Sequence, residues 1–191
     1  MRIHSFHFTL YSLFLFLFLQ AHPIISQVPG PAEVFGFTPG DDYRLASYDQ
    51  MLDYYHRLDE ASDRVLLREI GQSVLGKPLL LLYISSEENL RNLERHRQTA
   101  ERLARARIDE PTARELAATG KAIVWIDGGL HASEVAHAQM TTLLAHRVAT
   151  GESDEMKKIR DNTILLLMPV MNPDGLDIIR DWYVAQRETP F

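Results

Sequence analysis

At 191 residues the chain has room for one ordinary domain or for part of a larger one. Its 46% hydrophobic and 24% charged residues fit a folded globular protein and exclude a disordered tail. A formal net charge of -6 speaks against a nucleic-acid partner, because phosphate binding draws on a surplus of Lys and Arg. Cysteine is absent, so no disulfide can staple the fold and any metal must be held by His, Asp or Glu.

Residues 1–26 combine Arg2, an apolar stretch from Phe8 to Leu19, and small residues at Ala21 and Ser26. That layout predicts a secretory signal peptide, cleaved after Ala21 or Ser26, and hence export to a periplasmic or extracellular space. Phe8 to Leu19 is shorter than the about 20 residues a membrane span needs, so no stable span is expected after cleavage. Residues 27–43, "QVPGPAEVFGFTPGDDY", are rich in Pro and Gly and predict an extended lead segment with turns.

In the next stretch Leu45, Tyr48, Met51, Leu52, Tyr55 and Leu58 recur at helical spacing. "RVLLREIG" and "PLLLLYIS" are short, apolar and β-compatible, joined by the turn signal "LGKP". Glu87 to Ala106 predicts one long charged helix, whose six arginines between Arg91 and Arg107 alternate with Glu and form a solvated face. Pro111 opens another helix through "TARELAAT", and Gly120 closes it.

"KAIVWID" is a continuous apolar run of strand length, expected to be buried, followed by a helix from Glu134 to Thr150 with Gly151 beyond its end. "SDEMKKIRDN" is a short helix, "TILLLMPV" a second apolar strand, "MNPDG" a sharp turn and "LDIIRDWYVAQRE" helical. Strands apolar on both faces that alternate with helices predict an α/β fold: a mixed, mostly parallel sheet with helices on both faces. Only about four strand candidates precede "RETPF", so residues 44–191 are expected to be an incomplete domain.

In such sheets ligands bind at the carboxyl ends of the parallel strands. Two loops leave strand ends of this kind, "DGGLHASE" after "KAIVWI" and "MNPDG" after "TILLLMPV". In the first, His131 and Glu134 are three apart at the start of a helix, where an imidazole and a carboxylate fall on one side and suit a divalent metal. Gly128 and Gly129 allow a tight turn, and Asp127 is placed to support a metal ligand from behind. The plain alternative is a polar turn whose Glu134 favours the helix N-terminus. His56 and Asp59 share the spacing on a surface helix, so the pair is weak evidence without its context. His137 and His146 are expected to be packing or surface residues. Ser133 lacks the G-x-S-x-G elbow of a nucleophile, and "NPDG" taken alone is a turn.

Together, "DGGLHASE" and "MPVMNPDG" about forty residues later resemble the zinc carboxypeptidases, the M14 metallopeptidases, and "REIGQSVLGKPLLLLYIS" is similar to a stretch of that family. The resemblance covers nearly the whole chain after the lead, roughly the first half of the family's catalytic domain. It implies Zn²⁺ held by His131 and Glu134, with peptide or protein C-termini as substrate. It also implies that the third ligand, a histidine, the general-base glutamate and the Asn-Arg pair that grips the terminal carboxylate lie beyond Phe191, so that no catalytic residue is assignable here. Two other readings stay open: a zinc amidohydrolase acting on small N-acyl substrates, and a non-catalytic remnant or binding module that keeps the fold.

Overall fold

A computed structural model describes residues 28–187. The signal-peptide segment expected at 1–26 lies outside them. Within them no helix is long and apolar enough to cross a membrane.

The lead segment is not extended throughout. It holds a five-residue helix α1, Pro31–Phe35, because Pro31 is pre-set for the first helical turn and Gly36, at φ 74°, ends it. Helix α2, Tyr48–Ala61, starts on a capping box in which Ser47 and Gln50 satisfy each other's backbone N–H groups. Strands β1, Val65–Gln72, and β2, Pro78–Ile84, form a hairpin, and after it the expected long helix divides into α3, Glu87–Arg91, and α4, Leu93–Arg105. The division has a physical cause. Asn89 is buried and its amide donates to Ser85 Oγ and to the carbonyls of Arg160 and Asp161, which pins α3 and turns the chain at Asn92. On α4 the arginines are exposed, and two of them pair with Glu along the helix, Arg97 with Glu94 and Glu101, and Arg105 with Glu101.

Helix α5, Glu110–Thr119, leads into β3, Ala122–Asp127, and then come α6, Val135–Thr150, α7, Asp154–Asn162, β4, Thr163–Met168, and α8, Pro173–Gln186. The sheet is mixed, in the order β1-β2-β4-β3. The β3–β4 pair is parallel, whereas β1–β2 and β2–β4 are antiparallel, so among the described residues the sheet is less parallel than expected. The short "LGKP" turn forces the first of these, since only antiparallel strands can be joined so tightly.

The registers align Val65, Ile84, Leu165 and Val124 in one row across the sheet, and Leu66, Tyr83, Leu166 and Trp125 in the next row on the opposite face. The first face carries the core, where Val65, Leu67, Leu82, Ile84, Leu165 and Leu167 pack with Met51, Tyr54, Tyr55 and Leu58 of α2 and Ala145 and Val148 of α6. On the second face a cleft of about 340 Å³ is lined by Leu93 and Arg97 of α4 and by Leu66, Tyr83, Leu166 and Ile123. Among the described residues "KAIVWI" is less covered than the buried strand its composition suggests. Among the described residues β3 is an edge strand, with Ile123, Val124 and Trp125 exposed at 42%, 41% and 50%.

Helix α6 is held at several points. Tyr55 Oη and Thr141 Oγ1 are 2.9 Å apart, Tyr54 Oη donates to the Thr142 carbonyl, and burial keeps both phenols neutral by raising their ionisation well above the usual range. At the other end the buried Arg160 donates to the carbonyls of Val148 and Gly151, closing the last turn. Exposure on an unpaired edge makes a test of the β3 assignment: Trp125→Lys should leave the free energy of urea unfolding within about 0.5 kcal/mol of wild type. It should also reduce self-association in sedimentation velocity. A loss of several kcal/mol would instead put Trp125 in the core.

Candidate metal centre

The two loops that leave the carboxyl ends of β3 and β4 are joined backbone to backbone. The Gly128 N–H donates to the Met168 carbonyl, Met171 N–H to the Gly128 carbonyl, and Asn172 N–H to the Gly129 carbonyl, at 2.9 to 3.0 Å. Such closeness explains the glycines. A Cβ on Gly128 would stand 2.6 Å from Thr141 Cγ2, 2.9 Å from the Pro169 carbonyl oxygen and 3.0 Å from that of His137, while Gly129 has φ 59°.

On the other side, Asn172 caps α8 by accepting from Gly175 N–H, and a Cβ on Gly175 would come within 2.7 Å of Ala132 Cβ. "NPDG" is thus a turn, as its residues suggest, and it also forms the wall against which the His131 loop rests. Asp174 within it and Asp177 just after it have a further task that leaves no local sequence signal. Asp174 accepts from Ser73 Oγ and Leu75 N–H, and Asp177 from Lys77 Nζ and Tyr48 N–H, tying the β1–β2 turn and the start of α2 to α8. The Asp177 carboxylate also raises the pKa of the Lys77 ammonium, which therefore stays charged at neutral pH.

His131 and Glu134 are brought together. His131 Nδ1 is 3.0 Å from Glu134 Oε2, with the His131 side chain largely open to solvent and that of Glu134 about half exposed. Glu134 is the N-cap residue of α6, yet its side chain makes no capping bond and turns to the histidine instead. His137, expected to be a packing or surface residue, is on the surface but is no bystander: its Nδ1 lies 3.3 Å from the same Oε2. The signal was a repetition of spacing, with three residues from His131 to Glu134 and three more to His137.

The remaining candidates do not join this group. Among the described residues, no hydrogen bond links Asp127 to His131 or Ser133 to an imidazole, and His146 lies nine residues farther along α6. His56 is exposed on α2, while Asp59 accepts from Leu67 N–H, which is a structural role. A cleft of about 620 Å³ opens beside the first turn of α6, with Tyr43, Val135, Met140, Trp182 and Tyr183 in its walls.

The family model of the zinc carboxypeptidases, peptidase M14, matches residues 51–190. The chain belongs to this family. None of the curated proteins matches the sequence. Among solved structures, thrombin activatable fibrinolysis inhibitor (TAFI) has the same fold, with a TM-score of 0.54 at 18% identity, covering 78% of this chain and 32% of that one. The carboxypeptidase A from Helicoverpa armigera superposes at 0.49 with 19% identity over 76% of this chain and 31% of that one. For the putative carboxypeptidase A from Shewanella denitrificans the values are 0.49, 18%, 69% and 27%. The chain thus spans about a third of the length of these structures.

The family implies zinc. An imidazole nitrogen and a carboxylate oxygen are donors that zinc accepts, and His131 and Glu134 present them side by side at the strand ends. Among the described residues, however, no three His, Asp or Glu side chains are arranged to hold an ion. The donor types fit, and the number falls one short of the three protein ligands usual for catalytic zinc.

Because the rim depends on close backbone approach, Gly128→Ala should cost about 1–3 kcal/mol by overpacking against the two carbonyls. A chemical denaturation series checks this, and an unchanged midpoint would show that the loops are not packed as described.

Proposed function

We propose that this chain is the zinc-site portion of an exported metallocarboxypeptidase, in which His131 and Glu134 supply two of the zinc ligands for hydrolysis at the C-termini of peptides or proteins. The observation that carries the proposal is the hydrogen-bonded His131–Glu134 pair, standing at the ends of two parallel strands in a chain of the zinc carboxypeptidase family. The signal-like N-terminal sequence supports export.

Each residue has a distinct task. Gly128 and Gly129 bring the loop down onto the end of β4, the adjoining Ala132 rests on Gly175, and the start of α6 fixes the spacing between His131 and Glu134. The imidazole and the carboxylate would then supply two of the ion's ligands. Zinc, when bound, supplies Lewis-acid polarisation of a peptide carbonyl and an acidified water. A general base, expected from outside the described residues, contributes a further ~10²–10⁴-fold, so hydrolysis by the 191-residue chain alone is expected to be negligible.

Equilibrium dialysis against micromolar zinc tests the ligand assignment. The wild-type chain should retain zinc, and His131→Ala and Glu134→Ala should each lose it, with circular dichroism confirming that the folds are alike. Equal zinc in all three would remove the basis of the proposal. In the same preparations, peptide hydrolysis by the wild type that disappears in Glu134→Ala would show the chain to be catalytically complete, contrary to expectation.

A further inference from the structure

We infer that His137 is a positioning residue for Glu134, keeping its carboxylate aimed when a metal occupies the site. The inference rests on the proposed role of His131 and Glu134 as ligands and adds a residue to it.

The starting point is the sharing of one oxygen. Glu134 Oε2 has His131 Nδ1 at 3.0 Å and His137 Nδ1 at 3.3 Å. A carboxylate oxygen has two lone pairs and can accept from both rings, each imidazole donating when its proton is on Nδ1. The two contacts are not equivalent. The His131 contact is a formed hydrogen bond, and the His137 contact is a longer polar approach of an exposed ring.

Metal binding would remove the stronger of the two contacts. If His131 binds through Nδ1, that nitrogen must offer a lone pair, so it can no longer donate a proton to Glu134. Glu134 would lose its hydrogen bond at the moment its orientation matters most. Among the described residues, His137 is the other side chain within ion-pair distance of Glu134. Its place in the first turn of α6 keeps it three residues from Glu134 whatever His131 does. A hydrogen bond from His137 to Oε2 would leave Oε1 available as a ligand atom. Ligating carboxylates are commonly held by an outer hydrogen bond of this kind. His137 is exposed, so removing its ring leaves the core untouched.

A chelator-competition titration of zinc on the full 191-residue chain tests the assignment, using wild type, His137→Ala, His137→Asn and His131→Ala. An asparagine amide nitrogen stands the same number of bonds from Cα as Nδ1, so it can donate to Glu134 but is a poor zinc ligand. His137→Ala should weaken zinc binding by about 10–100-fold. His137→Asn should restore it to within about threefold of wild type.

His137→Ala matching wild type within twofold would overturn the inference. So would a His137→Asn variant as weak as His137→Ala, since that pattern makes His137 a ligand and not a positioning residue. If His131→Ala binds zinc as well as wild type does, the ligand assignment itself fails and takes the inference with it. The His131→Ala result therefore separates the two failures.

Discussion

The arrangement depends on the backbone bonding between Gly128–Gly129 and Met168–Asn172. Parallel pairing of β3 and β4 brings the two strand ends level, and three further backbone hydrogen bonds carry the contact past the strands into the loops. Any side chain at Gly128 would push the loops apart. Without that contact His131 would lie on an unsupported turn. With it, the imidazole starts from a fixed point beside the helix that carries Glu134.

Support for this point comes from across the chain. Thr141 of α6 donates to the carbonyls of Ala138 and Pro169 and meets the buried Tyr55 hydroxyl, linking α2, α6 and the end of β4. Asp174 and Asp177 anchor the first turns of α8 to the β1–β2 turn and the start of α2. The His131–Glu134 pair itself is exposed, while the groups that place it are buried or half-buried. That division suits a binding site, because rigid surroundings position ligands whose own polar atoms must remain free.

Much of this is legible in residue patterns, and the exceptions have physical reasons. Apolar runs identify the four strands, and glycines and caps place most helix ends. The same apolar pattern cannot tell a strand covered on both sides from one at an edge, which is why "KAIVWI" reads as buried while Trp125 is half exposed. The break between α3 and α4 depends on Asn89 reaching carbonyls more than seventy residues away, a contact no local pattern encodes. Spacing and loop context mark His131 and Glu134. His137 carries the same spacing, but its convergence on Glu134 depends on how the chain enters α6, with Glu134 as an N-cap whose side chain does no capping. The carboxylates of "NPDG" and the residues after it read as turn chemistry and prove to be long-range ties.

The central claim is that the loop after β3 presents a metal-binding imidazole and carboxylate. X-ray absorption at the zinc edge of the zinc-loaded chain tests it most directly. The account predicts nitrogen and oxygen neighbours at about 2.0–2.2 Å, with the outer-shell scattering of an imidazole ring that disappears in His131→Ala. A spectrum of hydrated zinc without imidazole scattering, or one unchanged by that substitution, would contradict it.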